Sequence, residues 1–163
     1  FGGAVGLAAC CDIVIASGKA KFCLSEVKIG LSPAVISPYV QRALGERQMR
    51  RYALTAEVMD AEIALALGLV HLVVEHDKLD DEVDAMLATL LAGSPQAQRA
   101  TKALMATVVR APDSDATREH TCQVIAKLRV SHEGQEGLSS FFEKRRPNWV
   151  ESNNTPNASE RRS

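Results

Sequence analysis

Two consecutive glycines open a stretch of small residues, Phe1-Gly-Gly-Ala-Val-Gly-Leu-Ala-Ala-Cys-Cys-Asp12, and this constrains the fold more than any other feature. A glycine pair at the head of such a run reads as a turn entering a helix. The small side chains let that helix lie close to neighbouring backbone. The β-branched run at residues 12–16 reads as a buried strand. Ser17-Gly18 marks a turn, and residues 21–24 a second short strand ending near a lone acid, Glu26. A turn where backbone N–H groups can approach a ligand closely, with one carboxylate in apolar surroundings after it, is a layout suited to acid–base chemistry beside fixed donors.

The chain of 163 residues is long enough for a real core, and 46% hydrophobic with 24% charged residues is ordinary globular composition. Net charge is -1, and Lys and Arg form no long run, which argues against a nucleic-acid partner. No apolar stretch is long enough to span a bilayer, so no membrane partner is expected. Cys10, Cys11, Cys23 and Cys122 lack paired metal spacing and make a poor disulfide framework. They read as buried thiols in a reducing compartment, with the cytoplasm expected. No leader is visible, but a chain that starts without Met reads as part of something longer and says little about targeting.

Further along, Pro33 and Pro38 interrupt regular structure, and Ser37 is expected to cap a helix over 39–44 that Gly45 stops. A second helix is expected over 46–54, with Met49, Tyr52 and Ala53 on one side. Asp60 is placed to cap a helix over 61–67, Gly68 ends it, and residues 69–74 return as a strand. Helices follow over 80–91, from Ser94-Pro95 to about 110, over 115–130 and over 134–144. Strands followed by helices point to an α/β or α+β fold. Residues 151–163 are polar and read as a disordered tail.

Five segments in order, GGAVGLAACCDIVIAS, KFCLSEVKIGL, ALG, TAEVMDAEIALALGLVHLVV and GLSSFFEKRRPNW, resemble the crotonase superfamily of enoyl-CoA hydratases and isomerases. The resemblance runs from Phe1 to about Val150. It implies the later part of a ββα spiral core over residues 1–76 and a helical trimerisation region over 77–150. It also implies a missing N-terminal part carrying further strands and one of two oxyanion-hole N–H groups. The other such group falls on Gly3. Without the resemblance, Gly3 reads equally well as a plain turn glycine.

The implied chemistry is stabilisation of a thioester enolate by backbone donors at a helix N-terminus. Glu26 falls on the family position that delivers a proton to the alpha carbon. The position of a second glutamate is Gly6, so a two-carboxylate mechanism does not carry over. The expectation is that Gly6 makes room near the reacting carbons for water or for a carboxylate on the substrate. The apolar loop before Pro38 and the residue after it supply Ala34, Val35, Ile36 and Tyr39 as candidate pocket residues. Phe141 and Lys144 match positions that contact the adenine and phosphates of CoA, for which an aromatic face and an ammonium are suited.

These features make an acyl-CoA hydratase for a branched 2-enoyl-CoA the expected function. They are most like bacterial hydratases acting on methylglutaconyl-CoA or isohexenylglutaconyl-CoA, in leucine and acyclic-terpene breakdown. A double-bond isomerase and a non-catalytic crotonase-like subunit are the alternatives. No metal and no redox cofactor is called for, and CoA arrives as part of the thioester. A homotrimer or a dimer of trimers is expected, and the 163-residue chain by itself is expected to be inactive.

Overall fold

A computed structural model describes residues 1–151 of the chain, with no side-chain description at Glu151. All but the first residue of the expected polar tail lies outside the described residues. The chain divides into two compact units, Phe1–Ala85 and Met86 onward.

The first unit holds helices α1 (Gly3–Cys10), α2 (Ser37–Leu44), α3 (Glu46–Thr55) and α4 (Ala61–Ala66). Four short strands accompany them: β1 (Ile15–Ser17), β2 (Lys21–Phe22), β3 (Met59–Asp60) and β4 (Leu72–Val74). Strands β1 and β4 pair in parallel with Ile15 opposite Leu72 and Ser17 opposite Val74. A parallel pair needs a long crossover, which here contains α2 to α4. Strands β2 and β3 pair antiparallel, Lys21 opposite Asp60. Helices α1 and α2 pack together over a core that includes Val5, Leu24, Val40, Leu44, Met49, Tyr52, Met59, Leu69 and Val70. Fully burying one such aliphatic side chain stabilises by about 1.5–3 kcal/mol. Val5 ties α1 into this core.

Several sequence expectations shift for identifiable reasons. The strand expected over 69–74 is confined to Leu72–Val74, because the Leu69 and Val70 amides donate back to the Ala64 carbonyl at 3.0 and 3.1 Å. The strand expected over 12–16 begins only at Ile15, and the Val14 amide instead donates to the His71 ring at 3.0 Å. The second strand stops at Phe22, and the next carbonyl, that of Cys23, accepts from Gly2 at 2.9 Å. Strand β3 was not anticipated. Ser37 does not cap α2; it is the first helical residue, its hydroxyl donates to the Ala34 carbonyl at 2.9 Å, and Ile36 holds the cap position. Asp60 does cap α4, accepting from the Ile63 amide at 2.8 Å. Of the four cysteines only Cys23 is buried, so the expectation of buried thiols fails for Cys10, Cys11 and Cys122; all four are free.

Helix α5 (Leu79–Leu91) runs from the first unit into the second, which also holds α6 (Pro95–Val108), α7 (Asp115–Val130), α8 (His132–Glu143) and the short α9 (Asn148–Glu151). Ser94, Ser114 and Ser131 cap α6, α7 and α8 by accepting from Ala97, Thr117 and Gly134. Glu133 adds a second acceptor at the head of α6, taking the Ser94 hydroxyl at 2.5 Å and the Gln96 amide at 2.8 Å. These bonds to the charged form hold its carboxyl below the usual carboxylate range. No helix of the described residues is long and apolar enough to cross a membrane.

Candidate active site

Gly2 adopts φ +53° and ψ -124° just before α1, a backbone conformation that side-chain-bearing residues rarely adopt. Its amide is held by the Cys23 carbonyl, and its own carbonyl accepts from Val5 at 2.9 Å. The glycine turn is thereby pinned to the residue after β2, immediately before the amide of Gly3. Gly3 is exposed, a Cβ on it would meet nothing within 4 Å, and its N–H has no acceptor among the described residues. As the first residue of an eight-residue helix it carries a positive dipole end.

Glu26 opens a 3-10 turn, Glu26–Ile29, that closes at Gly30. Its carbonyl accepts from Leu31 at 3.0 Å, which anchors its backbone. Its side chain reaches the glycine turn: a Cβ built on Gly2 would lie 3.4 Å from Oε1. Oε2 is buried with no hydrogen-bond partner. A buried carboxylate oxygen without a donor is costly, and native proteins rarely keep one without a use for it. The acid and the glycine turn that precedes Gly3 thus share one locality.

Gly6 lies one helical turn beyond Gly3 and is buried. A Cβ there would sit 2.2 Å from Ile36 Cγ2 and 2.6 Å from Ile36 Cβ. The space that the missing side chain leaves is therefore filled by Ile36, which corrects the expectation that Gly6 leaves room for water or a substrate carboxylate. Ile36 is half-buried against the core, whereas Ala34 and Tyr39 are exposed and Val35 is 86% exposed. Of the four pocket candidates, Ile36 stands directly against α1, at Gly6.

Phe141 and Lys144 belong to the second unit. Phe141 is exposed on the last turn of α8, edge-on to Phe142 with ring centroids 5.7 Å apart. Lys144 caps α8 with φ +56° and is exposed. Beside it, Arg145 is taken up by Glu136, at 2.6 and 3.0 Å, and by Glu143 at 2.6 Å. Glu136 also accepts the Asn148 amide at 2.9 Å, so this cluster ties the end of α8 to the start of α9. The Arg145 guanidinium, followed by the Asn148 amide, lowers the Glu136 carboxyl to about 2. The arginine is raised in turn by its two carboxylates. Sequence reading missed this cluster, since Glu136 and Arg145 are nine positions apart and carry no motif.

Of the histidines, His71 accepts the Val14 amide through Nδ1, and His76 Nδ1 lies 3.2 Å from the Ser17 hydroxyl. The two bracket the β1–β4 pair. A separate depression of about 200 Å³ near the far end of α1 is lined by Cys11, Asp12, Arg42 and His71 among others and includes none of the expected site residues.

Comparison with known proteins bears on this arrangement. Residues 1–153 match the family described as enoyl-CoA hydratase/isomerase. A crystal structure of an enoyl-CoA hydratase from Shewanella pealeana is 52% identical and superposes with a TM-score of 0.86, over 91% of this chain and 56% of that one. Crotonyl-CoA hydratase of Syntrophomonas wolfei is 31% identical over 151 residues, 92% of this chain and 58% of the relative. The trans-2-decenoyl-[acyl-carrier-protein] isomerase of Streptococcus mutans is 30% identical over 150 residues, 91% of this chain and 57% of the relative. The chain spans somewhat over half the length of these relatives. With an acid set against a glycine turn at the head of a helix, the crotonase fold of its structural neighbours and a family match along nearly its whole length, the chain belongs to the enoyl-CoA hydratase/isomerase family.

Proposed function

We propose that the protein carrying this chain is an acyl-CoA hydratase that adds water to a branched 2-enoyl-CoA, with Glu26 as its acid–base group and the Gly3 amide as an oxyanion donor. The observation that carries the reading is the unpartnered, buried Glu26 Oε2 beside the turn that presents Gly3. In this mechanism the thioester carbonyl accepts a hydrogen bond from Gly3. Glu26 takes a proton from water as its oxygen bonds to the β carbon. The carbon–carbon double bond becomes an enolate whose charge rests on the thioester oxygen. Glu26 then returns the proton to the α carbon, so one water is added and the carboxylate is restored. A single donor of this kind is worth about 2.7–4 kcal/mol in the transition state.

A second reading is isomerisation, in which the same carboxylate removes a proton from one carbon and returns it two carbons away. It is favoured by Ile36 standing where a second acid would emerge from Gly6, and by the isomerase among the relatives. Branched substrates such as methylglutaconyl-CoA, a cytoplasmic setting, and a homotrimer or dimer of trimers complete the proposal. Phe141 and Lys144 would meet the adenine and phosphates of CoA.

The test is turnover of matched 2-enoyl and 3-enoyl CoA thioesters by full-length wild type and Glu26→Gln. Wild type is expected to add water, and Glu26→Gln to lose about 10²–10⁴-fold in rate. A moved double bond without added water selects the isomerase, and undiminished turnover in the variant overturns the role of Glu26.

A further inference from the structure

We infer that Ile36 is a specificity-determining residue: its side chain plugs the gap at Gly6 and limits the size of the branch an acyl chain can carry beside Glu26. The inference rests on the reading above, that Glu26 and Gly3 form the reacting site. Position 6 is one turn along α1 from Gly3, about 4.5 Å along the axis. Glu26 Oε1 stands 3.4 Å from a Cβ built on Gly2 and Ile36 Cγ2 2.2 Å from one built on Gly6, so the two side chains meet α1 about one turn apart, with Gly3 between those positions in the chain. Cβ and Cγ2 of Ile36 stand in the space a side chain at 6 would take.

The plug is rigid. Ile36 holds the cap position of α2, where its carbonyl accepts from the Tyr39 and Val40 amides at 3.1 and 3.0 Å. A β-branched side chain has little freedom at χ1. Part of Ile36 packs on the core and part remains accessible, as a wall that a ligand can touch requires. The wall is wholly hydrocarbon and offers no hydrogen bond to water or to a carboxylate. The ligand group it suits is a small alkyl substituent on the acyl chain.

The experiment measures binding of two saturated thioesters, 3-methylbutyryl-CoA and 3-ethylpentanoyl-CoA, to full-length wild type, Ile36→Ala and Ile36→Val. Saturated chains bind without reacting, so the readout does not depend on which reaction the protein performs. Wild type is expected to prefer the smaller thioester. In Ile36→Ala that preference should shrink by about 10-fold, with Ile36→Val between the two. Should Ile36→Ala fail to fold, Ile36→Val decides by the same ratio. An unchanged ratio in every variant that folds overturns the inference while leaving the function of Glu26 standing. Turnover that survives Glu26→Gln defeats the underlying reading instead, and wild type that binds neither thioester defeats both.

Discussion

Cγ2 of Ile36 lies 2.2 Å from the point a Cβ on Gly6 would occupy, so the two residues, thirty positions apart, fill a single volume between them. Position 6 can be glycine because position 36 supplies the packing, and position 36 can be isoleucine because position 6 supplies none.

Gly6→Ala should therefore destabilise the fold by about 1–3 kcal/mol through overpacking. The measurement is chemical denaturation of Gly6→Ala, Ile36→Ala and the double variant. The double variant should recover part of the loss, giving a coupling of about 0.5–3 kcal/mol, whereas simple additivity would show that the two sites do not share space.

Gly2→Ala places a side chain at φ +53° and directs its Cβ toward Glu26 Oε1. Strain of this kind costs about 1–3 kcal/mol. The variant should lower both the denaturation midpoint and turnover on enoyl-CoA thioesters. Exposed-face Leu7→Ala, on the same helix, should leave the midpoint within about 0.5 kcal/mol of wild type.

Glu136 gives a pH dependence with a definite sign. Its folded value, about 2, lies below its ordinary 4.5, so the unfolded chain binds the extra proton first as acid is added. The stabilising contribution is complete above about 4.5 and disappears as pH falls through about 2. Thermal melts of wild type and Glu136→Gln across that window should show the largest difference at its upper edge and convergence at its lower edge. Equal separation throughout would remove the Arg145 pairing as the cause.

Asp60→Ala removes the acceptor for the Ile63 amide at the head of α4. A lost cap of this type costs about 0.5–2 kcal/mol, readable as a lower denaturation midpoint, and Asp60→Asn should restore most of it.

The helices were the most legible part of the chain. Ser94-Pro95 and Asp60 announce helix starts through local chemistry, and the expected span 115–130 is the observed α7 (Asp115–Val130). The strands were less legible because their pairing is short and depends on distant partners. Leu69 and Val70 have the composition of a strand, yet the Ala64 carbonyl takes both amides. At the site, the glycine pair and the lone acid were visible as residue types in sequence. Their proximity followed from the family pattern, and the Gly2–Glu26 contact gives it coordinates. The occupation of the Gly6 gap by Ile36 was not visible, since nothing local to either residue reports a contact across the intervening loop.

The Gly3 amide has no acceptor among the described residues. If it receives a thioester carbonyl as proposed above, no hydrogen bond within those residues has to be given up first. Capture would then be an exchange of one oxygen for another, and its rate should climb in proportion to ligand concentration without a slow rearrangement limiting it.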